Sequence, residues 1–175
     1  QVGSGVSITG GYYRTRLVNF RSTDNQEVTP ADYSTYCITA PVSSQLPNGG
    51  GYNVCGLADV SPAKFGRVTN LVTDSRNFGN QKQHSDFFNV SFRARLHGSN
   101  QIGGGIDSGR TLQDTCFIVD SPQELLNCKI ITPFSAQTQV KLFATYVVPG
   151  DIQLSGTFQS LPGVNYLANY NAPNS

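Results

Sequence analysis

Asp107-Ser108-Gly109, preceded by Gly105-Ile106, has the form of a catalytic signature. In aspartic proteases two Asp-Ser/Thr-Gly loops bring their carboxyls together, and one shared proton activates a water. A single copy needs a second chain to complete the pair, and Arg110 follows where that family carries a small residue. Asp107 is more simply a solvated residue on the polar face of a strand. No Gly-x-Ser-x-Gly elbow, P-loop or His-Glu-x-x-His zinc motif occurs, and His84 and His97 stand apart beside a strand start and a turn. The acids Asp24, Glu27, Asp32, Asp59, Asp74 and Asp120 lack the alternating spacing of a calcium loop. Arg14, Arg16, Arg93, Arg95, Arg110 and Lys141 fall on strand-like stretches, where they suit polar groups across a sheet or a lumen. Asn89-Val90-Ser91 matches a glycosylation sequon but sits mid-strand. The expectation is a chain that is not an enzyme, with no catalytic residue, metal or cofactor.

Four cysteines carry the remaining chemistry. Cys37 and Cys55 are 18 positions apart and Cys116 and Cys128 are 12 apart, without the CxxC or His spacing that zinc wants. Each pair lies within one long connection, so the expected bonds are Cys37–Cys55 and Cys116–Cys128. Disulfides imply an oxidising, extracytoplasmic site.

The elements that must position these residues are strands. Charged residues make up 13% of the 175, against roughly 25% in an average soluble domain. The 12 basic and 11 acidic side chains leave a net charge of +1, without the clustered cationic excess that strong nucleic-acid binding needs. There is no run of 18 apolar residues to make a membrane-spanning helix, although a spanning β-barrel signals itself by alternation instead. Val6 and Ile8 alternate with Ser7 and Thr9; Phe88, Val90, Phe92, Ala94 and Leu96 with Asn89, Ser91, Arg93 and Arg95. The same period runs through Val140–Val148 and through Ile152–Phe158. Five strands are expected, at about residues 4–22, 82–97, 101–116, 137–148 and 151–170. They form one all-β, antiparallel up-and-down sheet, an open barrel segment across residues 1–175. Tight turns at His97–Asn100 and Pro149-Gly150 lie at one end, and long loops 23–81 and 117–136 at the other. Within those loops Thr29-Pro30, Ser61-Pro62 and Ser121-Pro122 read as short helix starts, the first and third with an acid in capping-box position. Asn48-Gly49-Gly50-Gly51 reads as a flexible spot.

Several stretches resemble the barrel of large TonB-dependent outer-membrane receptors. They are Val28-Thr29-Pro30-Ala31-Asp32-Tyr33, Leu46-Pro47-Asn48-Gly49-Gly50-Gly51, Cys55-Gly56-Leu57, Asp59 through Gly66, Asn77-Phe78-Gly79, Ser108-Gly109-Arg110-Thr111, Val119 through Cys128, and Phe158 through Gly163. The group they are most similar to carries an N-terminal carboxypeptidase-regulatory-like domain, as in the Oar-type proteins of acidobacteria. The resemblance covers nearly the whole chain. What it implies for this chain is topology, with short periplasmic turns and outward disulfide-braced loops; transport is not carried over, since plug, TonB box and regulatory domain have no counterpart. Gln1 in place of an initiator Met suggests a processed or excised piece.

An open five-stranded sheet leaves two edges, marked by Val6, Ile8 and Tyr12 at one side and Ile152, Leu154 and Phe158 at the other. Long open edges recruit partners. The leading expectation is a structural, self-assembling extracellular filament or tube whose copies pair edge to edge. A fragment of an outer-membrane receptor barrel, with lipid as partner, is the alternative. A soluble extracellular β-sandwich binding module is the third.

Overall fold

The computed structural model describes residues 5–150 and 152–163. Ten strands alternate with short 3-10 turns, and no α-helix occurs among the described residues. The described residues divide into two compact units, one of residues 5–16, 83–112 and 131–163, the other of residues 17–82 and 113–130.

The long sheet is built from β1 (Val6–Leu17), β6 (Lys82–Arg95), β7 (Gln101–Asp114), β9 (Gln139–Val148) and β10 (Ile152–Ser160), with neighbours in that order. A sixth strand, β8 (Lys129–Thr132), pairs with β7 off this path. The register is regular: Ile152 pairs with Val148 and Ser160 with Val140, while Gln101 pairs with Thr145 and Asp107 with Gln139. The Arg95 amide donates to the Gly5 carbonyl, and Gly11 faces the side chain of Asn89, so β1 runs antiparallel to β6. The sheet is not closed into a barrel. Tight turns join β6 to β7 and β9 to β10. In the first, Gly98 takes a left-handed φ of 72° and Asn100 Nδ2 donates to the His97 carbonyl. Long stretches lead from β1 to β6 and from β7 to β9, as the unequal turn signals suggest.

The second unit corrects the expectation of long loops. Residues 23–81 contain most of β2 (Arg21–Asn25) and all of β3 (Tyr33–Thr39), β4 (Asn53–Val60) and β5 (Asn70–Asp74). β2 pairs with β5 and β3 with β4, both antiparallel. β2 is polar throughout, and in β3, β4 and β5 apolar residues stand side by side (Cys37-Ile38, Leu57-Ala58, Leu71-Val72), so these short strands carry little alternation. The first expected strand, 4–22, is broken after Leu17, where Asn19 adopts φ 61° and the chain leaves the sheet before β2. The last part of the expected strand 151–170, from residue 164, lies outside the described residues.

Local capping chemistry does what Pro after a hydroxyl residue suggests. Thr29 and Asp32 form a reciprocal capping box around the turn Pro30–Asp32, and Ser121 and Glu124 another around Pro122–Leu125. Ser61 differs: its carbonyl accepts from Lys64 and Phe65 in a plain turn that does not become a helix. The glycine run at 49–51, expected to be slack, is a defined turn. All three glycines have φ between 74° and 80°, and a Cβ on Gly50 would fall 1.9 Å from the Pro41 carbonyl oxygen. Only glycine fits there.

Both disulfides form as expected. Cys37 and Cys55 are partners across β3 and β4, with Cα atoms 4.1 Å apart, and Cys116 and Cys128 lie 4.8 Å apart. They join segments with little buried apolar area, since Val28 and Ala40 are the buried hydrophobic residues among those described. Polar contacts supply the rest: Asp120 accepts from the Asn25 amide, Gln123 Oε1 from the Ala58 amide, and Glu124 from the amides of Val119, Asp120 and Ser121. Partial burial raises the Asp120 carboxyl above its ordinary range. At the end of β5, Arg76 grips Asp74 through side-chain hydrogen bonds and its own amide, holding that carboxyl at about 2.

Candidate functional site

Register sorts the long sheet into two chemically different faces. Gly11 faces Asn89, Gly105 faces the Ser91 Cβ, Gly103 pairs with Phe143, and Thr157 pairs with Phe143 on the other side, so odd-numbered residues share one face. Even-numbered residues share the other. The even face carries Val6, Ile8, Phe88, Val90, Phe92, Ile102, Ile106, Leu142, Tyr146, Ile152, Leu154 and Phe158, all between 37% and 60% exposed. No charged residue interrupts this belt between Tyr12 and Tyr146. Such a continuous, uncovered apolar face is far more than the scattered hydrophobics of an ordinary surface.

Each expected edge residue falls on this face. Val6, Ile8 and Tyr12 lie on β1, at one end of the strand order, and Ile152, Leu154 and Phe158 lie on β10, at the other. All six are exposed, and β10 is exposed along its whole length. Among the described residues β1 and β10 each present an unpaired side, and the two edges stand at opposite ends of the strand order.

The odd face is polar. Ser7, Thr9, Asn89, Ser91, Arg93, Arg95, Asp107, Lys141, Thr145, Gln153, Ser155, Thr157 and Gln159 belong to it. Aromatic rings on this face lie down over glycines of the adjoining strand. A Cβ at Gly109 would fall 2.1 Å from Phe87, and one at Gly103 2.6 Å from Phe143. The Arg93 guanidinium stands 6.0 Å from the Phe143 ring centroid and donates to Gln101 Oε1. Ring over glycine repairs a place where a strand lacks a side chain to pack. Asn89 Oδ1 is shielded and has no hydrogen-bond partner among the described residues.

Where the belt ends toward the long connections, the even face changes character within one pleat. The Tyr12 hydroxyl donates to Asp86 Oδ1, Arg14 Nε lies 3.5 Å from the same carboxylate, and His84 Nε2 lies 4.0 Å from Oδ2. Arg110 approaches Asp86 from β7. Ser108, two residues before Arg110, is buried and shares a 2.7 Å hydrogen bond with Thr138, whose hydroxyl donates to the Phe134 carbonyl. The Phe134 ring packs 5.9 Å from that of Phe88.

Within the signature tripeptide, Asp107 is exposed on the odd face while Ser108 is buried on the even one, engaged with Thr138. Of the six loop acids Asp24 and Asp120 are neighbours, and no group of three metal-ligating side chains occurs among the described residues. The row of Arg14, Asp86 and Arg110 was not legible in sequence, because register across three strands decides it. Alternation alone did put Arg14 and Arg16 on the same face as Tyr12. Comparison of the chain with protein-family models, curated proteins and solved structures finds no significant match.

Proposed function

We propose that this chain is a length of wall from an outer-membrane β-barrel of the TonB-dependent receptor type, with its even face toward acyl chains and its odd face toward the lumen. The observation that carries this reading is the even-face belt: twelve apolar side chains spread over five strands, exposed together and uninterrupted by charge. In water that area would seek cover, and hydrocarbon provides it. The dimensions agree. Val140–Val148 rises about 27 Å at about 3.4 Å per residue. Tilted by 35–45°, that covers about 20 Å, close to the ~25 Å apolar band of such barrels. Tyr12 and Tyr146 stand near opposite ends of the belt, where aromatic girdles occur. The polar odd face, its arginines and the disulfide-bearing long connections fit lumen and outward loops.

Five strands spaced about 4.8 Å apart make a strip roughly 20 Å wide, short of the eight strands that the smallest barrels close with. The unpaired sides of β1 and β10 therefore need further strands. Those edges also favour a second reading, edge-to-edge assembly of copies into an extracellular filament or tube. Edge pairing alone leaves the belt wet, which is why lipid is the better partner for it.

The chain contains no Trp, so a single introduced indole reports cleanly. Phe158→Trp and Gln159→Trp put probes on the two faces of β10. In phosphatidylcholine vesicles with brominated acyl chains, quenching of the first and not the second is expected. Equal quenching, or a chain that remains monomeric or forms fibres without entering lipid, would overturn the reading.

A further inference from the structure

We propose that the chain carries one processing site for an arginine-directed serine protease, the bond between Arg67 and Val68, and that the cut chain stays assembled as two pieces. The inference stands apart from the barrel-wall reading. A protease holds several substrate residues in extended form against its own backbone, so a strand already paired within a sheet is a poor substrate. Arginine-directed enzymes add an acidic pocket for the side chain that precedes the cut. Of the 12 lysines and arginines, nine lie within β1, β2, β6, β7, β8 or β9, which leaves Lys64, Arg67 and Arg76. Lys64 is half-buried, and its Nζ donates to the Glu27 carbonyl at 2.6 Å. Arg76 is folded back onto Asp74 at 2.7 Å, in a turn that begins with the buried Ser75. Arg67 is exposed, and among the described residues its backbone is engaged but its side chain is not.

Little holds the segment around that bond. Every residue from Phe65 through Val72 is exposed, Phe65 at 80% and Val68 at 64%. A Cβ at Gly66 would meet nothing within 4 Å. The restraints are polar: the Phe65 amide donates to the Ser61 carbonyl, the Arg67 amide to the Lys64 carbonyl, and Asn25 Nδ2 to the Arg67 carbonyl. Asn25 Oδ1 accepts from the Thr69 amide, so one side chain clasps the segment on both sides of the bond. Exposed hydrogen bonds without buried apolar contacts open at small cost, and such loops are where nicking concentrates. In the cut, the protease's serine hydroxyl adds to the Arg67 carbonyl carbon. The bond to the Val68 nitrogen breaks as that nitrogen takes the hydroxyl's proton by way of the catalytic histidine. Water then hydrolyses the ester, leaving a carboxylate on Arg67 and an amine on Val68. β1 and β2 fall in piece 1–67, and their partners β6 and β5 fall in piece 68–175. Each disulfide lies within one piece. Non-covalent contacts alone, the two ladders first among them, then hold the pieces together.

Dilute trypsin added to the full chain in detergent micelles, with intact masses read over time and without reduction, supplies the test. The first products should be pieces 1–67 and 68–175, and the nicked chain should elute with the uncut one from a native size-exclusion column. Arg67→Gln should abolish cleavage at this bond with the circular dichroism spectrum unchanged, and Arg67→Lys should retain it. Asn25→Ala removes the clasp and should speed the cut about tenfold, the scale of a net hydrogen bond or two. A first cut at any other basic residue would overturn the site. So would resistance of the folded chain to a dose that digests the urea-unfolded one, or an Asn25→Ala chain cut no faster. Separation of the two pieces on the native column would overturn the assembled product. The lipid-quenching result that tests the barrel wall is independent of all these outcomes.

Discussion

Replacing Gly103 with alanine should destabilise the long sheet, whereas the same change at Gly156, also within a strand, should not. A Cβ at position 103 would fall 2.6 Å from Phe143 Cε1 and Cζ and 2.9 Å from the Phe92 carbonyl oxygen. The ring must swing away. Phe143 is half-buried, and full burial of a Phe side chain contributes about 1.5–3 kcal/mol, so losing its cover over Gly103 removes about 1 kcal/mol. With the ring goes its contact to Arg93, an exposed cation–π pair of about 0.5–1 kcal/mol. The Phe92 carbonyl cannot rotate aside as a ring can, and accommodating it strains the backbone by about 1 kcal/mol. Alanine offsets about 0.4–1 kcal/mol of this by restricting the unfolded chain. The net expectation is a loss of about 2 kcal/mol. At Gly156 nothing lies within 4 Å of the added Cβ, so only the favourable part remains there. Urea unfolding of the chain in detergent micelles, followed by far-ultraviolet circular dichroism, measures both variants. In a Phe143→Ala background the Gly103→Ala penalty should fall to about 0.5 kcal/mol or less, the carbonyl share less the alanine offset. Shifts of the same sign for Gly103→Ala and Gly156→Ala would refute the reasoning, as would an unchanged penalty without the ring.

Leu142→Lys places a charge near the middle of the belt and should reduce folding into bilayers by about 2–4 kcal/mol, while Gln159→Lys on the odd face should be nearly silent; vesicle titration of the folded fraction compares them. Removing the Cys37–Cys55 bond by double alanine substitution should lower stability by about 3 kcal/mol and removing Cys116–Cys128 by slightly less, read from denaturant midpoints, with the long-sheet circular dichroism signal retained. Because the folded Asp74 titrates at about 2, below its unfolded value, its stabilising contribution is present above about pH 4 and is lost as the pH falls toward 2. Arg76→Gln should move the Asp74 carboxyl titration upward in an NMR pH series, though not fully to the ordinary range, because the amide of residue 76 still donates to it. The Asp120 carboxyl is raised by burial and by the nearby acids Asp24 and Glu124, so Asp120→Asn, which keeps an oxygen for the Asn25 amide, should hold or raise thermal stability at neutral pH.

Strands were legible wherever one face is apolar and the other polar, because a pleat exposes that contrast directly in the sequence. β6, β9 and β10 are of this kind; β6 and β9 end within two residues of the expected bounds, whereas β10 stops at Ser160 and residues 161–163, expected to continue it, are not strand. Capping boxes at Thr29 and Ser121 were equally legible, since both partners lie within one turn of chain. β2 was not: Arg21–Asn25 is polar on both sides and holds together through its ladder with β5 and the buried Ser75, whose hydroxyl accepts from Ser22. β8 is too short to show a period. The Asn19 kink is hidden for another reason, because Asn tolerates the left-handed region without announcing it. In the candidate site, alternation assigned faces correctly but not rows. That Arg14, Asp86 and Arg110 lie together, or that Phe143 covers Gly103, depends on pairings between distant strands that no local pattern encodes.

The order of the strands also orders their assembly in time. β6 and β7 meet through a tight turn, and so do β9 and β10, so these hairpins can zip from their turns with little loop entropy to overcome. β1 has no such neighbour in sequence. Its partner β6 arrives only after residues 18–81, a stretch that must first collapse into its own paired strands and disulfide. Until then β6 offers a bare side that any other strand could occupy. The Cys37–Cys55 bond, by compacting the intervening chain, shortens the effective distance over which β1 must search. A crosslink within residues 18–81, outside the strands of the long sheet, thus shortens the search by which its first seam is closed.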